Sequence, residues 1–296
     1  MAQSENVEIF KGPLKGENLE IPEKKLIIEG NLVACQISAN ADIEIIGNVM
    51  DCIIHNHGGG LRVSGGVVNS KMDIFGDIYC RYLEKSDLIS RFGALYAEKH
   101  IYSSSVSVMS MVHLLDEKSE VVASALSSSI EISSARVGRP EGSTPSRLEL
   151  RPRKKQDLFE LFFIYKQKLG EKEEELASLE RYIKVFSLIK DKIKDLPPAK
   201  KNELVSKIQQ YQNLKKTIQL IQLEKERMFL KNPEEDKYNR TVLVRGAVFP
   251  PVEVVIDGQG LDIREPERRV GFYKSGIVIR GELEKIHNRR KVVALL

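Results

Sequence analysis

Residues 26–72 read LIIEGNLVACQISANADIEIIGNVMDCIIHNHGGGLRVSGGVVNSKM, and this stretch decides the fold. Laying Gly30-Asn31 over Gly47-Asn48 brings Leu32 onto Val49, Val33 onto Met50, Cys35 onto Cys52 and Ile37 onto Ile54. Ahead of the glycines, Leu26 falls on Ile43 and Ile28 on Ile45, and a third copy supplies Leu61, Val63, Gly65, Val67 and Met72. A repeat of about 17 to 18 residues is too short to bury its own apolar face, so each unit must shelter against its neighbours as a solenoid. Within a unit the apolar residues alternate, which is the period of a strand with one face inward. No unit contains a helical segment. The pattern predicts a mainly β fold, a single-stranded β-helix with three short faces per turn. Equivalent side chains then form ladders about 4.8 Å apart, with Cys35 beside Cys52 as two small buried hydrophobes. Ile74 and Ile78 around Gly76, then Val106 with Val108, Val121 with Ala123 and Ile130 with Ile132, mark later rungs.

Working outward, residues 155–231 hold a single glycine, Gly170, and an apolar stripe. Leu158, Leu161, Leu169, Leu176, Leu179, Ile183, Phe186, Ile189 and Ile193 recur mostly at spacings of three, four or seven. Leu204, Ile208, Tyr211, Leu214, Ile218 and Ile221 repeat the pattern on a second arm. Two such arms around Pro197-Pro198 predict a long antiparallel α-helical coiled-coil hairpin interrupting the β-helix, with the prolines at its tip. The stripe at Phe159, Phe162 and Phe163 is broader than a seam needs, which predicts that those rings are buried by packing against the β-helix. Strands near residues 241–244, 252–256 and 277–279 then complete or flank the solenoid, with Gly246 and Gly258 as corners. The expected organisation is an N-terminal tail (1–20), the β-helix (21–150), the hairpin (151–235), closing strands (236–284) and a C-terminal tail (285–296).

Composition narrows the function classes. The chain has 296 residues, 42% hydrophobic and 30% charged, with a net charge of +4. That excludes a fully disordered chain, and no apolar run reaches the roughly 18 residues of a membrane span. The polar N-terminus and three sparse cysteines, Cys35, Cys52 and Cys80, lead to the expectation of a reducing cytoplasm. Residues 151–240 carry 22 basic and 15 acidic residues. This charge gathers near the base and tip of the hairpin, and no recognised nucleic-acid module accompanies it.

Motifs for chemistry are thin. His57-Gly58-Gly59-Gly60 imitates an oxyanion loop, but no Gly-x-Ser-x-Gly elbow follows, and unusual backbone angles at a corner account for the glycines. Cys52, His55 and His57 suggest a metal, yet no fourth ligand stands near and Cys52 has the opposite strand parity. Asp73, Asp77 and Asp87 would have to line a groove in a polysaccharide-acting β-helix enzyme. No phosphate-binding loop is present. The sequence therefore supplies no catalytic set, no cofactor site and no metal site.

The order of these parts resembles the flagellar assembly protein A (FapA) family, long catalogued as a domain of unknown function. The matching stretches are the repeated units of residues 26–72, GALYAEKHIYSS at 93–104, Val137-Gly138 with 142–145, and Gly246-Ala247-Val248-Phe249-Pro250 after the insertion. The chain departs from the family at Ala123-Ser124, where paired glycines are common, and at Pro250-Pro251 in place of Pro-Gly. The resemblance implies a right-handed β-helix interrupted by a coiled coil, a role in bacterial flagellar assembly or its regulation, and no catalytic residues to carry over. The function expected is a non-enzymatic cytoplasmic scaffold or protein-interaction module. Its expected contacts are at the hairpin tip, Ile193, Lys194, Leu196, Lys200 and Lys201, toward a protein partner, with a homodimer as an option. The alternatives are the polysaccharide-acting enzyme, and nucleic acid or an acidic membrane surface bound through the basic hairpin.

Overall fold

The computed structural model describes residues 7–22, 24–142, 144–152, 155–187, 197–228, 240–275 and 277–283. Two compact units result: Met1–Pro152 together with Pro233–Leu296, and Arg153–Asn232.

The first unit is a β-solenoid with three faces per turn. Its first face stacks Val7–Lys11, Lys25–Glu29, Ile43–Ile45, Leu61–Val63, Ile78–Glu84, Leu95–Tyr102, Met111–Leu114, Glu131–Val137 and Thr241–Val248, each parallel to the next. The short second face runs through Leu14–Lys15, Leu32–Val33, Val49–Met50 and Gly66–Val68 into the C-terminal halves of the longer strands. The third face runs from Asn18–Ile21 through Gln36–Ala39, Ile53–Asn56, Lys71–Ile74, Asp87–Ser90, Ser105–Val108, Ala125–Ser128 and Ser146–Leu150 to Val252–Ile256. Every pairing read from the repeat is present. Ile28 lies beside Ile45, and Ile45 beside Val63. Leu32, Val49 and Val67 form one column, and Ile37, Ile54 and Met72 another. The core is aliphatic, as the absence of Trp requires, and most of its columns are fully buried.

The corner between the second and third faces explains two of the three cysteines, Cys35 and Cys52. A residue with positive φ (Ala34, Asp51, Asn69, Lys85, Ser103, Ala123) precedes a buried Cys35, Cys52, Ser70, Ser86, Ser104 or Ser124. Each of these thiols or hydroxyls donates to the carbonyl two residues back, as Ser86 Oγ does to Glu84 O at 2.7 Å. Each rung's amide in turn donates to the Sγ or Oγ of the next. The contacts are 3.4 Å for Cys35 N to Cys52 Sγ, 3.0 Å for Cys52 N to Ser70 Oγ and 3.0 Å for Ser70 N to Ser86 Oγ. Without these side chains the corner amides would be buried and unpaired. Ala123, expected in a strand, is instead one of the corner residues.

Three further expectations for the solenoid need correction. The N-terminal tail to residue 20 is structured from Val7, because Val7–Lys11, Leu14–Lys15 and Asn18–Ile21 form a first rung in register with the second. Gly246 lies inside a strand at a register shift, not at a corner. Gly58, Gly59 and Gly60 are not among the positive-φ residues. Close approach to the neighbouring turns selects them: a Cβ on Gly59 would sit 2.4 Å from the Ala41 carbonyl carbon, one on Gly58 1.9 Å from Asn40 O, and one on Gly60 2.8 Å from Asp77 O.

The closing strands both complete the solenoid and cap it. After the parallel strands Thr241–Val248 and Val252–Ile256, direction reverses. Gln259–Ile263 pairs antiparallel with Val252–Ile256 through the turn at Asp257-Gly258. Glu267–Ser275 lies antiparallel on Thr241–Val248, and Ile277–Glu282 on Glu267–Ser275. Phe272 is fully buried there.

The second unit is a helical hairpin of α1 (Lys155–Ser187) and α2 (Pro198–Met228). Leu169, Leu179, Leu214 and Ile218 form its core, flanked by Leu176 and Tyr211, as the two stripes predict. Tyr182 bonds to Glu203 across the pair. Pro198 opens α2, where its missing N–H costs nothing, and Pro197 O accepts from Lys200 N and Lys201 N at 3.0 and 3.1 Å. The side chains of Leu158, Phe159, Leu161, Ile189 and Ile221 lie outside the described residues. Phe162 and Phe163 do not show the expected burial: they are 40% and 55% exposed and meet edge to face.

Candidate functional site

Of the expected tip residues, Ile193, Lys194 and Leu196 lie outside the described residues. Lys200 is exposed and Lys201 half-buried in the first turn of α2. Near them Val185 and Val205 are 61% and 54% exposed. Burial, reinforced by the hydrogen bond to the Glu203 carboxylate, raises the Tyr182 phenol above its ordinary range.

The sequence reading missed a second surface, on the first two faces of the solenoid. Arg62 lies over the Tyr79 ring at 4.6 Å, Tyr79 stacks on Tyr96 at 4.7 Å, and His113 meets Tyr96 edge-on at 6.0 Å. His113 Nε2 is 3.0 Å from Glu131 Oε1. One corner further, Tyr82, His100 and Tyr102 stack at 4.9 and 4.0 Å, and Arg139 closes the row 4.8 Å above Tyr102. Glu84 Oε1 holds His100 Nε2 at 2.8 Å. Glu120 accepts from the Tyr102 hydroxyl and from Arg139 at 2.9 Å. Gly66 seats the Tyr82 ring, since any Cβ there would overlap it. The signal was in the spacing: Tyr79, Tyr96 and His113 recur at the same interval of 17 residues as the core. These rings are half-buried and held from both sides. They offer area to a partner at little cost in side-chain entropy, in the Tyr and Arg chemistry that dominates binding hot spots.

The residues considered for catalysis or metal binding part company. Cys52 is buried in the corner ladder, where burial raises its thiol pKa, while His55 and His57 stand exposed. Asp73 is held by Arg91 through two contacts of 2.8 and 2.5 Å, and this pairing lowers its pKa, the opposite of what a general acid requires. Asp77 Oδ1 accepts from Ala94 N at 2.8 Å as a corner brace, and Asp87 projects from the third face opposite Lys71. Asp73 and Asp87 thus lie on adjoining third-face strands two register positions apart, with Asp77 at a corner away from that strand pair. A cavity of about 600 Å³ lies where the late stretches converge, lined by Pro145, Pro250, Pro251, Glu253, Asp262 and Arg264.

A three-faced parallel solenoid, capped by antiparallel strands and interrupted by a helical hairpin, defines the class: a β-solenoid with a coiled-coil insertion. The model of the Flagellar Assembly Protein A (FapA) beta solenoid domain matches residues 23–278, most of the chain. The protein belongs to the FapA family. Neither the curated proteins nor the solved structures contain a match. Among the described residues no helix is long and apolar enough to cross a membrane.

Proposed function

We propose that this protein is a non-enzymatic cytoplasmic scaffold in bacterial flagellar assembly or its regulation. Its solenoid presents the stacked Tyr79–Tyr96 and Tyr82–His100–Tyr102–Arg139 rows to a protein partner. The hairpin, with Lys200 and Lys201 at the start of α2, supplies a second contact surface. Membership of an assembly-protein family supports the process. The single observation supporting the contact is the aromatic strip, whose rings stack on neighbours in the same and adjoining rungs.

Affinity capture from the native cell would test this with three baits: the intact chain, a chain lacking residues 155–231, and the Tyr96→Ala, Tyr102→Ala double variant. Partners retained by the hairpin deletion and lost by the double variant are expected for binding through the strip. Partners lost only with the hairpin would move the contact there. Equal capture by all three baits would remove both surfaces from the proposal.

A further inference from the structure

His55 lies in the third-face strand Ile53–Asn56 and His57 is the first residue beyond it, and both are exposed on the outer surface. Their planes differ by 4° and their centroids are 6.4 Å apart. The backbone beneath them is held on both sides. His55 lies in register between Ser38 and Asp73, and His57 N donates to Ala39 O at 2.8 Å. Gly58, next in the chain, adds no side chain to crowd the pair.

We propose that His55 and His57 form a two-imidazole chelate for a borderline divalent transition ion such as Zn²⁺, Ni²⁺ or Cu²⁺, with Asp73 as the neighbouring anion. With metal–nitrogen bonds of about 2.0–2.1 Å, two imidazoles on one tetrahedral ion have centroids about 5 Å apart. The present separation closes to that value by side-chain rotation over a fixed backbone. Nitrogen ligands select these ions over Mg²⁺ or Ca²⁺, which require oxygen. Asp73 sits opposite His55 on the next rung and is engaged by Arg91, so it contributes charge from outside the coordination sphere. Among the described residues no three such side chains converge ready-made, and Cys52 is turned into the corner ladder. The remaining coordination positions are therefore filled by water or by a ligand from another molecule. The site stands independently of the scaffold reading.

Equilibrium dialysis of the untagged full chain against Zn²⁺ tests the proposal. The intact chain is expected to retain about one ion. His55→Ala and His57→Ala should each weaken retention about tenfold or more, because a lone imidazole loses the gain of linked binding. His100→Ala should leave it unchanged. Both target side chains are exposed, so matching thermal melts will show the variants folded, and His57→Gln provides a second, more conservative test. No retention by the intact chain at about 100 μM free zinc, or retention unchanged in both alanine variants, would overturn the assignment.

Discussion

At the scale of single residues, the Cys/Ser ladder shows what a repeat asks of each rung. Ser86 is 3% exposed; its hydroxyl accepts from Ser70 N at 3.0 Å and donates to Glu84 O at 2.7 Å. Ser86→Ala removes both bonds and strands a buried amide, a loss of about 1–3 kcal/mol in chemical denaturation. Ser86→Cys should lose less, since thiols fill the same place at Cys35 and Cys52. Asp73 provides the pH counterpart. Its pKa is lowered first by the hydrogen bond from Arg91, against opposing burial, then by the charges of Arg91, His55 and His57. A depressed carboxylate stabilises the fold fully above its unfolded value of about 3.9, and that contribution disappears as pH falls through the lower folded value. The stability gap between the parent and Arg91→Ala should therefore hold from neutral pH to about pH 5 and close below about pH 4. Arg91 is 49% exposed, so screening keeps the gap within about 1 kcal/mol. The pairing of Cys35 with Cys52 was legible from their shared place in the repeat. The ladder was not, because Ser70, Ser86 and Ser104 look like ordinary turn residues until stacking places them at one corner.

At the scale of elements, the chain separates into parts with different sources of stability. Among the described residues, the hairpin's packed seam lies around Leu169, Leu179, Leu214 and Ile218. Leu214→Ala should cost the hairpin about 2–4 kcal/mol, as for other buried leucines. Because the seam belongs to a separate compact unit, hydrogen exchange should report faster opening of α1 and α2 with solenoid amides unchanged. Faster exchange in the solenoid strands as well would show that the two units unfold together. The hairpin was readable because its stripe has helical period and few other elements use it. The first rung was not, because VEIFK and its Gly12-Pro13-Leu14 corner are one diverged copy, with charged Glu8 where the next turn has Leu26. The outward aromatic rows escaped for a related reason: alternation reports which side chains face the core, and says nothing of what the intervening residues form with neighbouring rungs.

At the scale of the whole solenoid, the two ends solve the problem of unpaired strand edges differently. The C-terminal end is covered by reversed strands, which bury Phe272 and Val270 over the last turn. At the N-terminal end Val7–Lys11 and Asn18–Ile21 are the terminal strands of their sheets among the described residues. Phe10, Leu14 and Leu19 are only partly buried there, and Ile9 is 53% exposed. Charge guards this end. Glu8 is paired with Leu26, whose side chain is fully buried, so it places a carboxylate at an inward position of the last layer, 3.3 Å from Lys24 Nζ. A further strand stacked on this rung would have to desolvate that carboxylate. Pro13 and Pro22, exposed at the corners of the same rung, remove two backbone donors. Glu8→Val takes away the charge and extends the apolar column of Leu26 and Ile43 to the surface. The variant should then associate end to end, with molar mass by light scattering rising with concentration above that of the parent. An unchanged mass across the same range would mean that Glu8 is not what keeps the edge from pairing, and would leave that role to the prolines.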